Sequence, residues 1–177
     1  MLEKGLEHIF DENTKMIILG TFPGIESRND CYYNNNKNLF WLIVSKCFNN
    51  NIPLNGRDER YSCLRKHNIG LWDIISVCAF KGEKSSSLDK RIDKKSIIYN
   101  DFGILKEKCP ELKWLVFNGK NAQKLFRHYL KTKAVQELRL WLEVRLYPEA
   151  LPSTSPANTR LSKIDKEMKW HKVLKSI

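Results

Sequence analysis

Four short stretches of this chain concentrate residues able to hold a polar ligand: Gly20-Thr21-Phe22-Pro23-Gly24, Cys78-Ala79-Phe80-Lys81-Gly82, Asn118-Gly119-Lys120 and Leu151-Pro152-Ser153-Thr154-Ser155-Pro156-Ala157-Asn158. Glycine and proline set tight turns that bring main-chain N–H groups close to a ligand, and Ser, Thr and Asn add neutral hydrogen bonds. Such a set suits a polar ligand that carries phosphates. No histidine stands in these stretches, and His67, His128 and His171 fall on predicted helices, so imidazole catalysis is not expected. The five cysteines, Cys31, Cys47, Cys63, Cys78 and Cys109, include no Cys-x-x-Cys pair. They read as buried or idle thiols, and nothing in their spacing suggests zinc, an iron–sulfur cluster or a redox switch. The sequence also lacks a Gly-rich Lys-Ser/Thr phosphate loop and a dinucleotide fingerprint, which ranks a small nucleotide-binding protein last.

Each stretch follows a short apolar run. Strands are predicted over 16–19, 69–77, 112–117 and 142–147, the last with the weakest pattern. Between them the apolar residues recur at three and four: Phe40, Ile43, Val44 and Cys47; Ala122, Leu125, Phe126 and Tyr129; Ile164, Met168, His171 and Leu174. Two further helices are predicted over 58–67 and 101–108, and the segments 34–36, 49–51 and 81–95 read as polar loops. Strands alternating with helices predict an α/β fold, one domain over 1–177, whose mainly parallel four-stranded sheet carries helices on both faces. In such a sheet ligands bind beyond the carboxyl ends of the strands, where all four stretches fall.

Lysine and arginine outnumber aspartate and glutamate by 31 to 20, a net charge of +11, which favours a polyanionic partner, nucleic acid first. No apolar run approaches the roughly 20 residues of a membrane span, and the first residues lack the pattern of a signal peptide. The expectation is a cytoplasmic protein, monomeric and without membrane contact.

Leu19-Gly20-Thr21-Phe22-Pro23-Gly24, Ser27, the Tyr32-Tyr33 pair, Asn38-Leu39-Phe40-Trp41 and the stretch from Leu151 to Asn158 together resemble the DNA-deoxyinosine (hypoxanthine-DNA) glycosylases, a branch of the uracil-DNA glycosylase superfamily. The resemblance implies a three-layer α/β/α fold and a monofunctional glycosylase, without metal or cofactor, whose substrate is DNA containing a deaminated base. Several relatives carry a polar catalytic residue where Phe22 stands here, and phenylalanine cannot hold a water. The resemblance therefore assigns the catalytic role to Asn38, which would orient the attacking water and donate to the base. It places the base pocket at Gly20, Thr21, Phe22, Pro23 and Gly24, with Tyr33 as the stacking platform and Tyr32 as second candidate. Ser153, Thr154 and Ser155 would bond DNA phosphates, Pro152 and Pro156 would stiffen that loop, Asn158 would plug the gap left by the flipped base, and Lys120 would reach a phosphate.

Plainer roles exist for the same residues. Asn38 directly precedes an apolar-periodic run, as a helix N-cap does, and both roles are compatible. The tyrosine pair could fill a core, and Asn158, Thr159 and Ser162 could cap the last helix, where Ser162-x-x-Asp165 resembles a capping box. Trp41 reads as core, and Asp73, inside the second apolar run, receives no catalytic role. The competing functions are a glycosylase for uracil in G·U mismatches and a non-catalytic DNA-binding module of the same fold.

Overall fold

The computed structural model describes residues 1–28, 30–81, 91–132 and 135–176; Gly82 and most of the loop predicted over 81–95 lie outside them. In chain order the elements are β1 (Leu2–Lys4), β2 (Met16–Gly20), α1 (Phe40–Phe48), α2 (Gly56–Lys66), β3 (Ile69–Asp73), β4 (Ile75–Ala79) and β5 (Ile98–Tyr99). There follow α3 (Leu105–Lys108), β6 (Trp114–Phe117), α4 (Lys120–Tyr129), α5 (Arg139–Glu143) and α6 (Lys163–Leu174). A parallel sheet in the order β3-β2-β6 forms the centre, and a second, antiparallel sheet in the order β1-β4-β5 stands beside it.

All five residues of β2 are buried. Because side chains alternate along a strand, Met16 and Ile18 pack on one face against Phe40, Val44, Leu64 and Trp170 of α1, α2 and α6. Ile17 and Leu19 pack on the other against Leu105, Phe126 and Leu142 of α3, α4 and α5. The expected three-layer α/β/α arrangement is therefore observed.

Two details differ from the sequence expectation. The run over 69–77 is two strands: Ile74 donates its N–H to Gly20 O at 3.0 Å and ends the parallel pairing, and β4 then joins the antiparallel sheet. The fourth strand expected over 142–147 is absent as a strand, so the parallel sheet has three strands rather than four. Leu142 belongs to α5, and the chain then touches β6 only at two isolated parallel bridges, Leu115 with Leu146 and Asn118 with Leu151. Between those bridges Pro148 lacks the N–H a ladder needs, and the chain loops out.

Candidate active site

The register of the parallel sheet decides which strand-end residues meet. Gly20 pairs with Asp73, and Asn118, next after β6, donates its N–H to Leu19 O at 2.9 Å. Gly20, Asp73 and Asn118 thus lie side by side at the carboxyl edge, where α/β proteins bind ligands. A glycine is required at 20 by close approach: a Cβ there would stand 2.3 Å from Asp73 Oδ1 and 3.4 Å from the Tyr33 hydroxyl.

Tyr33 reaches this edge from the loop before α1. Its φ is 57°, in the left-handed region that side-chain-bearing residues seldom adopt, and its ring lies 4.3 Å from that of Phe40, centroid to centroid. The hydroxyl is buried without a well-formed hydrogen bond among the described residues. Burial pushes the phenol well above its ordinary pKa; the nearby Asp73 carboxylate pushes the same way, and Asn118 offsets part of the rise. Tyr33 therefore stays protonated at neutral pH and offers an O–H donor to whatever enters.

The last loop is locked to this edge through Thr154, which is fully buried. Asn118 Nδ2 donates to Thr154 Oγ1 and Thr154 N–H donates to Asn118 Oδ1, both at 2.9 Å. Thr154 O in turn accepts from Leu39 N–H at 3.0 Å, so the residue after Asn38 is tied to the same point. Asn38 Oδ1 accepts from Phe40 N–H at 3.0 Å and so helps to start α1. Its amide nitrogen donates to none of the described residues, and the side chain is half-buried. The N-cap of α1 is Leu39, so Asn38 makes a turn one residue ahead of the cap rather than the cap itself, and its NH2 group remains available to a ligand.

The loop is also held from behind. Trp170 Nε1 donates to Pro152 O at 2.8 Å and Lys166 Nζ to Asn158 O; the two residues stand one helical turn apart on the inner face of α6. Asn158 Nδ2 donates to Ser153 O at 3.0 Å, which closes the loop on itself. Gly119, with φ 104°, makes the turn into α4, and a Cβ there would meet Ser153 Cβ at 3.0 Å. Lys120 follows with its side chain exposed; in the last loop Ser153 and Ser155 are half-buried and Pro156 is exposed.

The structure therefore brings Gly20 and Tyr33 together at this edge and ties Thr154, Ser153 and the residue after Asn38 to Asn118 and Gly119, with Lys120 next in the chain, and it separates others of the expected set. Tyr32 is 2% exposed and donates its hydroxyl to Leu6 O and Glu7 O at 3.2 and 3.1 Å; it is a core residue, not a platform. Phe22 packs with Ile75, Cys78 and Phe80 under the second sheet, so its ring anchors the first loop rather than lining a base pocket. Pro23 is buried, and its carbonyl accepts from Arg28 Nε at 3.3 Å; Thr21 and Gly24 are half-buried along the same turn. Thr154 is fully buried, and its hydroxyl accepts from Asn118. Asn158 does not cap α6: Ser162 does, its Oγ accepting from Asp165 N–H at 3.1 Å.

Asp73, which the sequence reading left without a role, and Asn118, which it named only within a strand-end stretch, are the residues whose part in the site shows only here, and their position at strand ends was the available signal. Among the described residues no cluster of three or more His, Cys, Asp or Glu side chains could hold a metal ion, and no helix is long and apolar enough to cross a membrane. Burial pushes the thiols of Cys47 and Cys78 up to about 11 and that of Cys109 to about 12, far from nucleophilic at neutral pH. The strand-end set acts instead by hydrogen bonding and placement. Asn118→Ala is expected to leave buried donors and acceptors of Thr154 unmatched and to lower unfolding stability by about 1–3 kcal/mol. Urea denaturation checks this, and an unchanged midpoint would show that the Asn118–Thr154 clamp contributes nothing.

The family model for the uracil DNA glycosylase superfamily matches residues 7–174. The chain is 32% identical, over 176 residues and 99% of each chain, to the hypoxanthine DNA glycosylase of Methanosarcina acetivorans. It is 32% identical to the enzyme of that name from Methanosarcina barkeri over 123 residues, 69% of this chain and 74% of the other. A solution NMR structure of a Methanosarcina acetivorans protein, described as a candidate uracil DNA glycosylase, superposes with a TM-score of 0.73 at 32% identity, covering 98% of this chain and 97% of that one. With its strand-end edge, its Asn38 joint and this near-complete match, the chain belongs to the uracil DNA glycosylase superfamily.

Proposed function

We propose that this protein is a monofunctional DNA glycosylase that takes a deaminated base, hypoxanthine first, out of the duplex and hydrolyses its N-glycosidic bond. The carrying observation is the amide of Asn38, whose nitrogen donates to none of the described residues, on the residue just before Leu39, which is bonded through Thr154 to Asn118 at the strand-end edge. Hydrolysis joins a water oxygen to C1′ as the bond to the base breaks, and the base leaves with a proton. Positive character grows on the sugar and negative charge on the base, so a placed water and donors near the base lower the barrier. Asn38 NH2 and the protonated Tyr33 supply such donors, and the Tyr33 ring offers a stacking face.

Ser153, Ser155, Pro156, Asn158 and Lys120 form the edge that would grip the DNA backbone and fill the vacated stack, drawn there by a chain of net charge +11. The protein acts as one domain and a monomer, in the cytoplasm, with no cofactor. The relatives named hypoxanthine DNA glycosylase support the base; the uracil named for the NMR structure keeps G·U mismatches as the second reading.

The test is base release from labelled duplexes carrying one hypoxanthine, uracil or xanthine, followed by alkaline cleavage. Hypoxanthine release is expected to be fastest. Release of uracil alone would move the protein to the second reading, and tight DNA binding with no release would make it a binding module.

A further inference from the structure

A tyrosine with φ 57° is held there against its own preference, because its Cβ crowds the backbone in the left-handed region. Such a residue persists only where its surroundings over-determine it, and these residues cluster at functional sites. The φ and ψ of a residue are fixed when the peptide planes on either side of it are fixed. At Tyr33 the groups to account for are therefore the carbonyl of Tyr32, in the plane before it, and the N–H of Asn34, in the plane after it.

Side chains from elsewhere in the chain take both groups. Trp41 Nε1, in the first turn of α1, donates to Tyr32 O at 2.7 Å, and Ser27 Oγ accepts from Asn34 N–H at 3.1 Å. Ser27 and Trp41 are buried, so water competes poorly for either bond. The flanking residues are pinned as well. Tyr32 N–H donates to the Tyr61 hydroxyl at 3.0 Å, and Arg60 Nη1 donates to Asn34 Oδ1 at 2.9 Å while its guanidinium lies 5.4 Å from the centre of the Trp41 ring. With both planes held, the backbone aims the Tyr33 ring at Phe40, centroids 4.3 Å apart, and puts its hydroxyl 3.4 Å from where a Gly20 Cβ would stand. Packing alone would be served by any aromatic ring at 41 and a methyl group at 27; the indole N–H and the hydroxyl serve the turn at Tyr33.

We propose that Ser27 and Trp41 are positioning residues for base release, which together hold Tyr33 in its left-handed conformation so that a stacking face and a phenol donor stand at the strand ends before a base arrives. The proposal rests on the glycosylase reading above. Freed from either bond, the backbone relaxes toward negative φ and the ring leaves the edge. The flipped base must then reorder the loop as it binds, a cost that preorganisation avoids. Ser27 and Trp41 act through Tyr33 rather than on the base, so their effect disappears when the Tyr33 side chain is absent.

The test is a double-mutant cycle on single-turnover release of hypoxanthine from duplex DNA. Tyr33→Ala is expected to slow release about 10²-fold, through loss of a stacking face and a donor. Ser27→Ala, which removes the acceptor of Asn34 N–H, is expected to slow it about 10-fold, the population shift that one lost hydrogen bond permits against a strained φ. In a Tyr33→Ala background the same Ser27→Ala change should alter the rate by less than about 2-fold. Equal slowing in both backgrounds would show a general role in the loop, and unchanged release with Tyr33 intact would show none; either overturns the proposal. Should Ser27→Ala fail to fold, Trp41→Phe, which keeps an aromatic ring and loses the N–H, completes the same cycle with the same expectation. The nuclear Overhauser effect between the Tyr33 and Phe40 rings, expected in wild type and lost in Ser27→Ala, is read without substrate and separates this proposal from the function it rests on. Loss of that signal in the variant of a protein that releases no base would sink the glycosylase reading and keep the positioning of Tyr33. A signal that persists in the variant would sink the proposal, whatever base the protein releases.

Discussion

Asn38→Ala is expected to slow base release about 10²–10³-fold, the usual consequence of removing one preorganised donor from a site where charge develops. The same change removes the Oδ1 that accepts from Phe40 N–H, which lowers stability by about 1 kcal/mol, as loss of one hydrogen bond does. The two effects are separable. Asn38→Asp keeps an oxygen for the Phe40 N–H and loses the NH2 group, so it should fold like wild type and still release base slowly. Single-turnover kinetics alongside thermal unfolding and duplex binding check both variants. A folded Asn38→Ala protein that binds DNA and keeps full activity would remove Asn38 from the chemistry. A slow Asn38→Ala with a normal Asn38→Asp would mean that only the bond to Phe40 N–H matters.

Gly20→Ala should be nearly as damaging, for a steric reason. The new Cβ would fall 2.3 Å from Asp73 Oδ1, a separation that real Cβ atoms do not show, and 3.4 Å from the Tyr33 hydroxyl. Asp73 is 3% exposed and cannot swing into solvent, so β2, the carboxylate and Tyr33 must shift together. Overpacking of this kind costs about 1–3 kcal/mol. Displacing a site by about an ångström can cost roughly 10²-fold in rate. The expected result is a folded, less stable protein whose base release falls by about that factor. Wild-type stability and rate together would mean that Gly20 and Asp73 are not in close approach.

The helices over α1 and α4 were legible because their apolar residues recur at the helical spacing and each covers one face of a buried strand; α6 was legible as a helix but not in its face, since Ile164 and Met168 are exposed and Lys166, Trp170, Val173 and Leu174 are buried instead. The strand at β2 was legible because Met16-Ile17-Ile18-Leu19 is apolar on both faces and stops at a glycine. Periodicity failed where an apolar run is compatible with two outcomes. The 69–77 run stays apolar across Ile74, so nothing local marks the residue at which the chain leaves one sheet for another. The 142–147 run serves α5 with Leu142 and two bridges with the residues beyond, and Pro148 keeps it from becoming a ladder.

The amino-acid sequence by itself determined the layers, the strand-end loops and the presence of Asn38 beside a helix start, since these follow from short-range spacing. Which of two adjacent tyrosines faces the site was decided only in three dimensions: the positive φ at Tyr33 sends one ring to the strand ends and leaves Tyr32 in the core. The partner of Thr154 was likewise a tertiary matter, because Asn118 lies 36 residues away in the chain and meets it only through the pairing of β6 with the last loop. Asp73 gains its meaning from register, which sets it beside Gly20 on a neighbouring strand. Register depends on which apolar faces are buried together, and no single stretch of sequence contains that information.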